Sequence, residues 1–363
     1  MLVLVLLLTA LCCATAVAAA LLVAWSRPGR PQPFTGSDGR PLAGSLSEKI
    51  HVTINGTPQG MILKSKDAAR PVLLYLHGGM PDYFLTRRYP AGLDDLFTVC
   101  WWEQRGSGLS FDPGADPRAV TLEQLVADTL AVADYLRDRF GQDRIYLMGH
   151  SGGTFLGMHA VARSPERFLA YVGIQQMADQ RRSERLAYDQ MLRRFRSAGK
   201  AAMVRRLEAA PVTSEDVPPG YLAIRDAAMH RLGGGTMRQI RSVATGIILE
   251  SLRCRDYTLR EKLNLWRGKV TSGVSSMWTE MLGTDLAVRI PRVDVPVYFL
   301  HGSHDLTCLP EVAKDYFTTL EAPRKAFYTF ADAAHSPLFE DPARCCAILR
   351  DDVLTGRQTL ADP

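Results

Sequence analysis

The 363-residue chain has no internal repeat, no low-complexity tract and no long run of like charge. Repeat architectures and extended disorder are thereby excluded outside an unusual amino terminus. Its basic residues are scattered rather than interleaved with aromatics, and no nucleic-acid motif is present, which excludes nucleic acid as a partner. The seven cysteines have neither zinc-ligand spacing nor a readable disulfide framework. Cys100, Cys254, Cys308, Cys345 and Cys346, the five outside the amino-terminal run, are expected as buried or free thiols. The net charge of +5 is modest for this length.

Charge is missing altogether from residues 1–25, which Leu, Val and Ala dominate. At about 1.5 Å of rise per residue, some 20 apolar residues span a bilayer core. The run reads as a single-pass membrane anchor. No Lys or Arg precedes it, whereas a cleavable signal carries a basic leader. The small residues among positions 14–20 keep cleavage and secretion as the alternative. A lipoprotein signal is disfavoured, because Leu11 precedes Cys12 where a small residue is expected. Arg27, Arg30 and Arg40 follow the run, so the positive-inside rule favours a cytoplasmic catalytic domain. Residues 26–46 are rich in Pro and Gly and are expected as a linker.

Hydrophobic residues make up 47% of the chain, enough for a sizeable core. From residue 47 onward, apolar runs of strand length alternate with helical patterns. Strands are expected at 72–76, 96–102, 145–148, 169–174, 295–300 and 326–330. Helices are expected at 121–140 and 152–163. In the first helix Thr121 is the cap, Gln124 completes a capping box and Gly141 ends the element. Leu122, Leu125, Val126, Ala133 and Leu136 recur there at helical spacing. Such alternation predicts a parallel sheet covered on both faces. Between 178 and 290 the rhythm changes to helical patterns broken by Pro211, Pro218, Pro219 and Gly233 to Gly235. This segment is expected as a helical cap inserted between two parts of one core, 47–177 and 291–363. It holds 20 Lys and Arg against 12 Asp and Glu, which reads first as a solvated helical surface.

The strongest chemical signal is Gly149-His150-Ser151-Gly152-Gly153, placed where a buried strand gives way to a helix. In that setting the pentapeptide is a nucleophile elbow. Glycines flank the serine because side chains there would strike the neighbouring strand or helix. Ser151 then stands above the carboxyl edge of the sheet, where ligands bind in open α/β folds. A serine hydroxyl needs a base to take its proton. His335, in Asp332-Ala-Ala-His-Ser-Pro337 after the last expected strand, is the candidate. Asp305, in His301-Gly-Ser-His-Asp305, is the acid that holds the imidazole in the right tautomer. Its rivals are Asp294, which precedes its strand, and Asp332, which crowds His335. The oxyanion of a tetrahedral intermediate needs two backbone donors. Gly152, next after the serine, supplies one, and Gly79 of His77-Gly78-Gly79-Met80 the other.

The segments Leu76-His-Gly-Gly79, Trp102-Glu-Gln-Arg-Gly-Ser-Gly-Leu-Ser110, Gly149-His-Ser-Gly-Gly-Thr154 and Ala334-His-Ser-Pro337 resemble α/β hydrolases related to the prolyl iminopeptidases. The resemblance runs in consistent order over about residues 50–349. It implies the α/β-hydrolase fold: a mostly parallel central sheet with helices on both faces, and a helical cap insertion that shapes the pocket. It further implies Ser151 as nucleophile with Asp305 and His335 as partners, and His77, Gly78 and His150 as candidates for lining the pocket; Glu103, in a loop that matches the family, reads mainly as structural and secondarily as a pocket candidate. The chemistry expected is cleavage of an ester or amide bond, in a small molecule or short peptide, through an acyl-enzyme. That chemistry requires no metal and no organic cofactor. Two departures bear on it. Relatives read His-Gly-Gly-Pro-Gly where Met80-Pro81 follows the glycines here, which touches the oxyanion loop. Peptidases of the group carry an aromatic where Gly152 stands, which touches aminopeptidase specificity. An aminopeptidase also needs cap carboxylates for a free amino terminus, and Glu184, Glu208, Glu215 and Glu250 are the residues whose placement decides that. The alternatives are thus an aminopeptidase of prolyl iminopeptidase type and a catalytically inactive binding protein on the same fold.

Overall fold

The computed structural model describes residues 1–271 and 275–363. It opens with α1 (Leu2–Trp25), then the strands β1 (Leu46–Ile54), β2 (Thr57–Ser65), β3 (Val72–Leu76) and β4 (Thr98–Trp102). Helix α2 (Leu122–Phe140), β5 (Ile145–His150), α3 (Gly152–Arg163) and β6 (Phe168–Ile174) follow. A helical region then intervenes, with α4 (Gln180–Ser197), α5 (Ala201–Glu208), α6 (Pro219–Arg231), a π-helical turn (Ala244–Ile248), α7 (Leu249–Arg253), α8 (Leu259–Thr271), α9 (Ser275–Gly283) and α10 (Leu286–Arg289). The chain returns to the sheet through β7 (Val297–Gly302), α11 (Pro310–Thr319) and β8 (Lys325–Phe330), and closes with α12 (Pro337–Glu340) and α13 (Pro342–Ile348).

The strands form one eight-stranded sheet in the order β1-β2-β4-β3-β5-β6-β7-β8. From β4 to β8 every pairing is parallel; β1–β2 and β2–β4 are antiparallel. The mostly parallel sheet expected from the alternation is therefore present, with an antiparallel edge in addition. That edge is a hairpin turning on Asn55 and Gly56, both at positive φ (48° and 77°). Two-residue hairpins favour Asn-Gly because both central residues take left-handed angles. Strand register sorts the core into two layers. Leu74, Leu76, Leu147 and Phe299 pack toward α2 and α3, while Leu73, Tyr75, Met148 and Leu300 pack on the opposite face.

Helix α2 starts as its sequence implies, with Thr121 Oγ1 accepting from the Gln124 amide at 3.2 Å, and Gly141 closes it at φ 62°. The reciprocal half of the capping box is absent. Gln124 Nε2 instead donates to Asp128 at 2.9 Å. Asp128 is fully buried and also collects Asn55 Nδ2 and Gln59 Nε2 at 2.8 Å each, and Arg105 through Nε at 2.7 Å and Nη2 at 3.0 Å. A buried carboxylate without donors is costly, so it draws Gln124 away from the helix terminus. The cluster fastens the hairpin and the loop after β4 to α2.

Residues 26–46 do not form a free tether. Gly29 and Pro31 are buried, the Gly29 amide donates to Arg255 O at 3.0 Å, and Gln32 O accepts from Ser47 Oγ at 2.6 Å and Lys64 Nζ at 3.0 Å. Helix α1 has no buried residue and a mean hydropathy of 2.7, long and apolar enough to cross a membrane.

Replacing Asp128 by Ala removes the shared acceptor and strands Arg105, whose side chain is only 15% exposed. The expected loss is about 3–5 kcal/mol of unfolding free energy, read from urea midpoints.

Candidate active site

The turn from β5 into α3 carries Ser151 at φ 55° and ψ −125°, a left-handed angle outside the ordinary range for a side-chain-bearing residue. It is held there by backbone contacts. The Ser151 amide donates to Ile174 O on β6 at 3.0 Å, and its carbonyl accepts from the Thr154 amide at 2.8 Å and Thr154 Oγ1 at 2.5 Å. The turn is possible only because two neighbours lack side chains. A Cβ on Gly153 would lie 2.1 Å from Leu76 O, and one on Gly149 would lie 2.6 Å from Gly153 O. Gly78 is as constrained from the other side, since a Cβ there would sit 2.8 Å from Ser151 Cβ.

Parallel β5, β7 and β8 all end at one rim of the sheet, and the three polar candidates leave from those ends. Asp305 follows β7, is 1% exposed, and receives the Thr307 amide at 2.7 Å and the Cys308 amide at 3.1 Å. Its Oδ2 lies 2.8 Å from His335 Nδ1. That contact makes Nδ1 the donor and leaves Nε2 for the cavity. The His335 loop is tied down on both flanks: Glu340 Oε2 accepts from the Ala334 amide at 2.8 Å, and Gln175 Nε2 donates to Ala334 O. Ser151 and His335 line the same cavity, though among the described residues no hydrogen bond joins Ser151 Oγ to the imidazole. Catalytic hydrogen bonds are often long without substrate and tighten on binding. The rival acids lie elsewhere: Asp332 is fully exposed beside Arg238, and Asp294 is exposed beside Arg292.

Gly78, Gly79, Gly152 and His150 all line the cavity. Gly152 is the first residue of α3, so its amide has no intrahelical acceptor. Two candidates belong elsewhere. His77 is buried beneath the loop, its Nε2 accepting from the Gln104 amide at 3.1 Å and its Nδ1 facing Gly78 O at 2.9 Å. Burial pushes its pKa down to about 4, so it is neutral and serves as a brace. Glu103 is likewise no part of the cavity wall. Its carboxylate receives the Leu109 amide at 2.5 Å and the Tyr257 hydroxyl, and burial raises its pKa to about 8. His77 thus braces the loop after β3 against Gln104, and Glu103 ties the loop after β4 to Tyr257.

Asp82 is a site residue that the sequence reading missed. His150 Nδ1 contacts Asp82 Oδ2 at 2.9 Å, and His150 Nε2 contacts the backbone oxygen of His335 at 2.8 Å. Both nitrogens face acceptors, so the imidazolium form satisfies both. Burial opposes the charge, but the Asp82 hydrogen bond and its negative charge outweigh it, and the His150 pKa is raised. His150 thereby braces the loop that carries His335.

The cavity encloses about 250 Å³, and its wall includes Met80, Met177, Met229, Met277, Trp266 and Trp278 together with the charged Arg225, Asp226 and Lys269. None of the four cap glutamates reaches it. Glu184 is fully buried and consumed by Arg225 at 2.5 and 2.8 Å, Tyr221 at 2.9 Å and Gln180 at 2.8 Å. Glu208 pairs with Arg196 and Glu250 with Arg88, while Glu215 is exposed. The carboxylates on the cavity wall are Asp82 and Asp226, and Asp226 pairs with Arg225 at 3.0 Å. Asp305, Cys308 and His335 bring ligand-type atoms within 4.8 Å of one another. Burial holds the Cys308 thiol well above its ordinary pKa.

A raised histidine pKa contributes stability in full below the ordinary value near 6.5 and loses it as pH climbs through the raised value. The difference in melting temperature between wild type and His150→Gln is therefore expected to be largest at about pH 6 and to shrink on the alkaline side.

Comparison with known proteins places these features in context. Residues 71–342 match the model of a family described as the alpha/beta hydrolase fold. The chain is 31% identical over 304 residues to a probable aminopeptidase, YbaC, of Bacillus subtilis (strain 168), spanning 82% of this chain and 94% of that protein. Among solved structures it is similar to a proline iminopeptidase of Mycobacterium smegmatis, at TM-score 0.61 and 19% identity over 85% of this chain and 98% of that one. It is also similar to a membrane phospholipase A described as a bacterial virulence factor, at TM-score 0.57 and 18% identity over 98% of this chain and 99% of that one. At such identities the structural likeness speaks to the fold alone.

Proposed function

The chain belongs to the alpha/beta hydrolase fold family, and on that footing we propose that it is a serine hydrolase cleaving ester or amide bonds through an acyl-enzyme. The observation that carries the reading is the 2.8 Å contact between His335 Nδ1 and Asp305, at the sheet rim from which the Ser151 turn also projects. Ser151 Oγ attacks the carbonyl carbon while His335 Nε2 takes its proton. The amides of Gly79 and Gly152 receive the developing oxyanion. The imidazolium, stabilised by Asp305, then protonates the leaving group, and a water activated by the same histidine releases the acid.

A carboxylic ester with an apolar acyl group suits the methionine-rich wall best. Methionine side chains adapt to flexible apolar ligands. The second reading, aminopeptidase, is favoured by the name of the Bacillus subtilis relative. It would require a substrate ammonium to be received by Asp226, which Arg225 already holds at 3.0 Å, or by Asp82, whose Oδ2 already meets His150 and Tyr75. Short and medium acyl p-nitrophenyl esters assayed beside proline arylamides separate the two. Ester turnover that falls about 10⁴-fold or more in Ser151→Ala is expected. Preferential arylamide turnover would transfer the assignment to the aminopeptidase. Folded wild type inert toward both would leave a binding protein.

We further propose that α1 is a retained membrane anchor. A cut among the small residues before position 21 would leave residues 21–25 as an apolar stub. The junction is built into the body: the side chain of Lys262 is buried, and its ammonium donates to Trp25 O at 2.7 Å, Leu252 O at 2.6 Å and Ser26 Oγ at 3.2 Å. Intact mass of protein extracted from membranes is expected to include the whole run, and a mass lacking it would refute retention.

A further inference from the structure

The end of α1 meets the helical region between β6 and β7 at a particular place. Lys262 projects from the first turn of α8, and its ammonium donates both to the carbonyl of Trp25 and to that of Leu252 in α7. The Arg253 guanidinium lies 5.5 Å from the centre of the Trp25 ring. Two features flank this junction, and neither takes part in the hydrolysis proposed above.

The first is a depression lined by Trp25 and Phe84 together with Arg87, Arg88, Arg253 and Arg255, in which Glu250 is the one carboxylate among the described residues. Glu250 neutralises only part of that charge, binding Arg88 at 2.5 Å and Arg253 at 3.4 Å. The second is the outer face of α8. Leu259, Leu263 and Val270 recur at spacings of four and seven residues, which places them on one stripe of the helix. The inner side of α8 is packed through Asn264, Leu265 and Gly268. Along the stripe Leu259 is 36% exposed, Leu263 47% and Val270 82%. Arg260 and Arg267 border it. An apolar stripe edged by arginine is the composition of a helix lying in a membrane interface. Clustered arginines suit the phosphates of anionic lipid. Trp266 packs inward, donating to Ser251 Oγ at 2.9 Å and lining the cavity, so the same helix borders the site.

We propose that α8 and the arginine-lined depression beside Trp25 form a docking face that seats on an anionic phospholipid bilayer. The occupant is the bilayer surface because the face is continuous with the helix that would cross it, and because the net charge of the depression is positive. The inference rests on the retained-anchor reading, which the intact-mass measurement tests separately, and it does not depend on turnover.

The full chain, with Cys12 and Cys13 replaced by Ala, is reconstituted into nanodiscs carrying acyl-chain-brominated phosphatidylcholine, alone or mixed with phosphatidylglycerol. A bimane label is placed at Leu263→Cys, or at Thr318→Cys on the exposed side of α11. Quenching by the brominated chains is expected to be at least about threefold stronger at 263 than at 318, as for a residue set into the headgroup–acyl boundary. It is expected to weaken when phosphatidylglycerol is omitted, and again in Arg87→Gln/Arg255→Gln. Equal quenching at 263 and 318 overturns the docking face. Strong quenching at 263 that ignores both lipid charge and the two arginines overturns the anionic-lipid assignment.

Discussion

The turn at Ser151 runs against the carbonyl oxygens of Leu76 and His77, so close that Gly153 has no room for a side chain, while one on Gly149 would strike the backbone of Gly153 and Thr154. That contact ties the turn after β5 to the loop after β3, the two places from which, in the proposed reaction, attack and oxyanion stabilisation come. Because β3 and β5 are paired in parallel, the ends of both strands open at the same rim. The carboxyl ends of β7 and β8 reach that rim as well, and Asp305 and His335 leave from them. No single loop creates the site. The sheet register brings its parts together, and the glycines allow the last ångström of approach.

Around this centre, most polar groups are paired. Asp305 holds His335 from one side, and the Asp82–His150 pair holds the carbonyl of the same residue from the other. The buried Glu184 is locked to Arg225 and Tyr221. Among the described residues, five methionines and two tryptophans line the cavity, with Lys269 and Asp82 among its charged residues. In the proposed reaction the apolar part of that lining favours an ester with an apolar acyl group.

Much of this was legible before any coordinates. Buried parallel strands show as short continuous apolar runs, and β3, β4, β5, β6, β7 and β8 were each anticipated to within about two residues of their ends. The pentapeptide at Ser151 and the order Ser, Asp, His carry their meaning locally. The β1–β2 hairpin was missed although Asn55-Gly56 marks it, because residues flanking the turn alternate with polar ones and stand only half-buried. His77 was a pocket candidate and is instead buried against Gln104, while Glu103, read mainly as structural, binds Leu109 and Tyr257 away from the cavity wall. Asp82 was overlooked because its role depends on a partner 68 residues away in the chain. Nothing local marks Lys262 either: a lysine in a helix rich in charge reads as solvated, and its burial follows only from the junction with Trp25.

The central claim is that Ser151 becomes acylated with the help of His335 and Asp305. Treating the folded full-length protein with a fluorophosphonate and mapping the adduct by peptide mass spectrometry tests this most directly. The account predicts a single adduct on Ser151, formed far more slowly when His335 is replaced by Ala. An adduct on another residue, or none on folded protein, would contradict it.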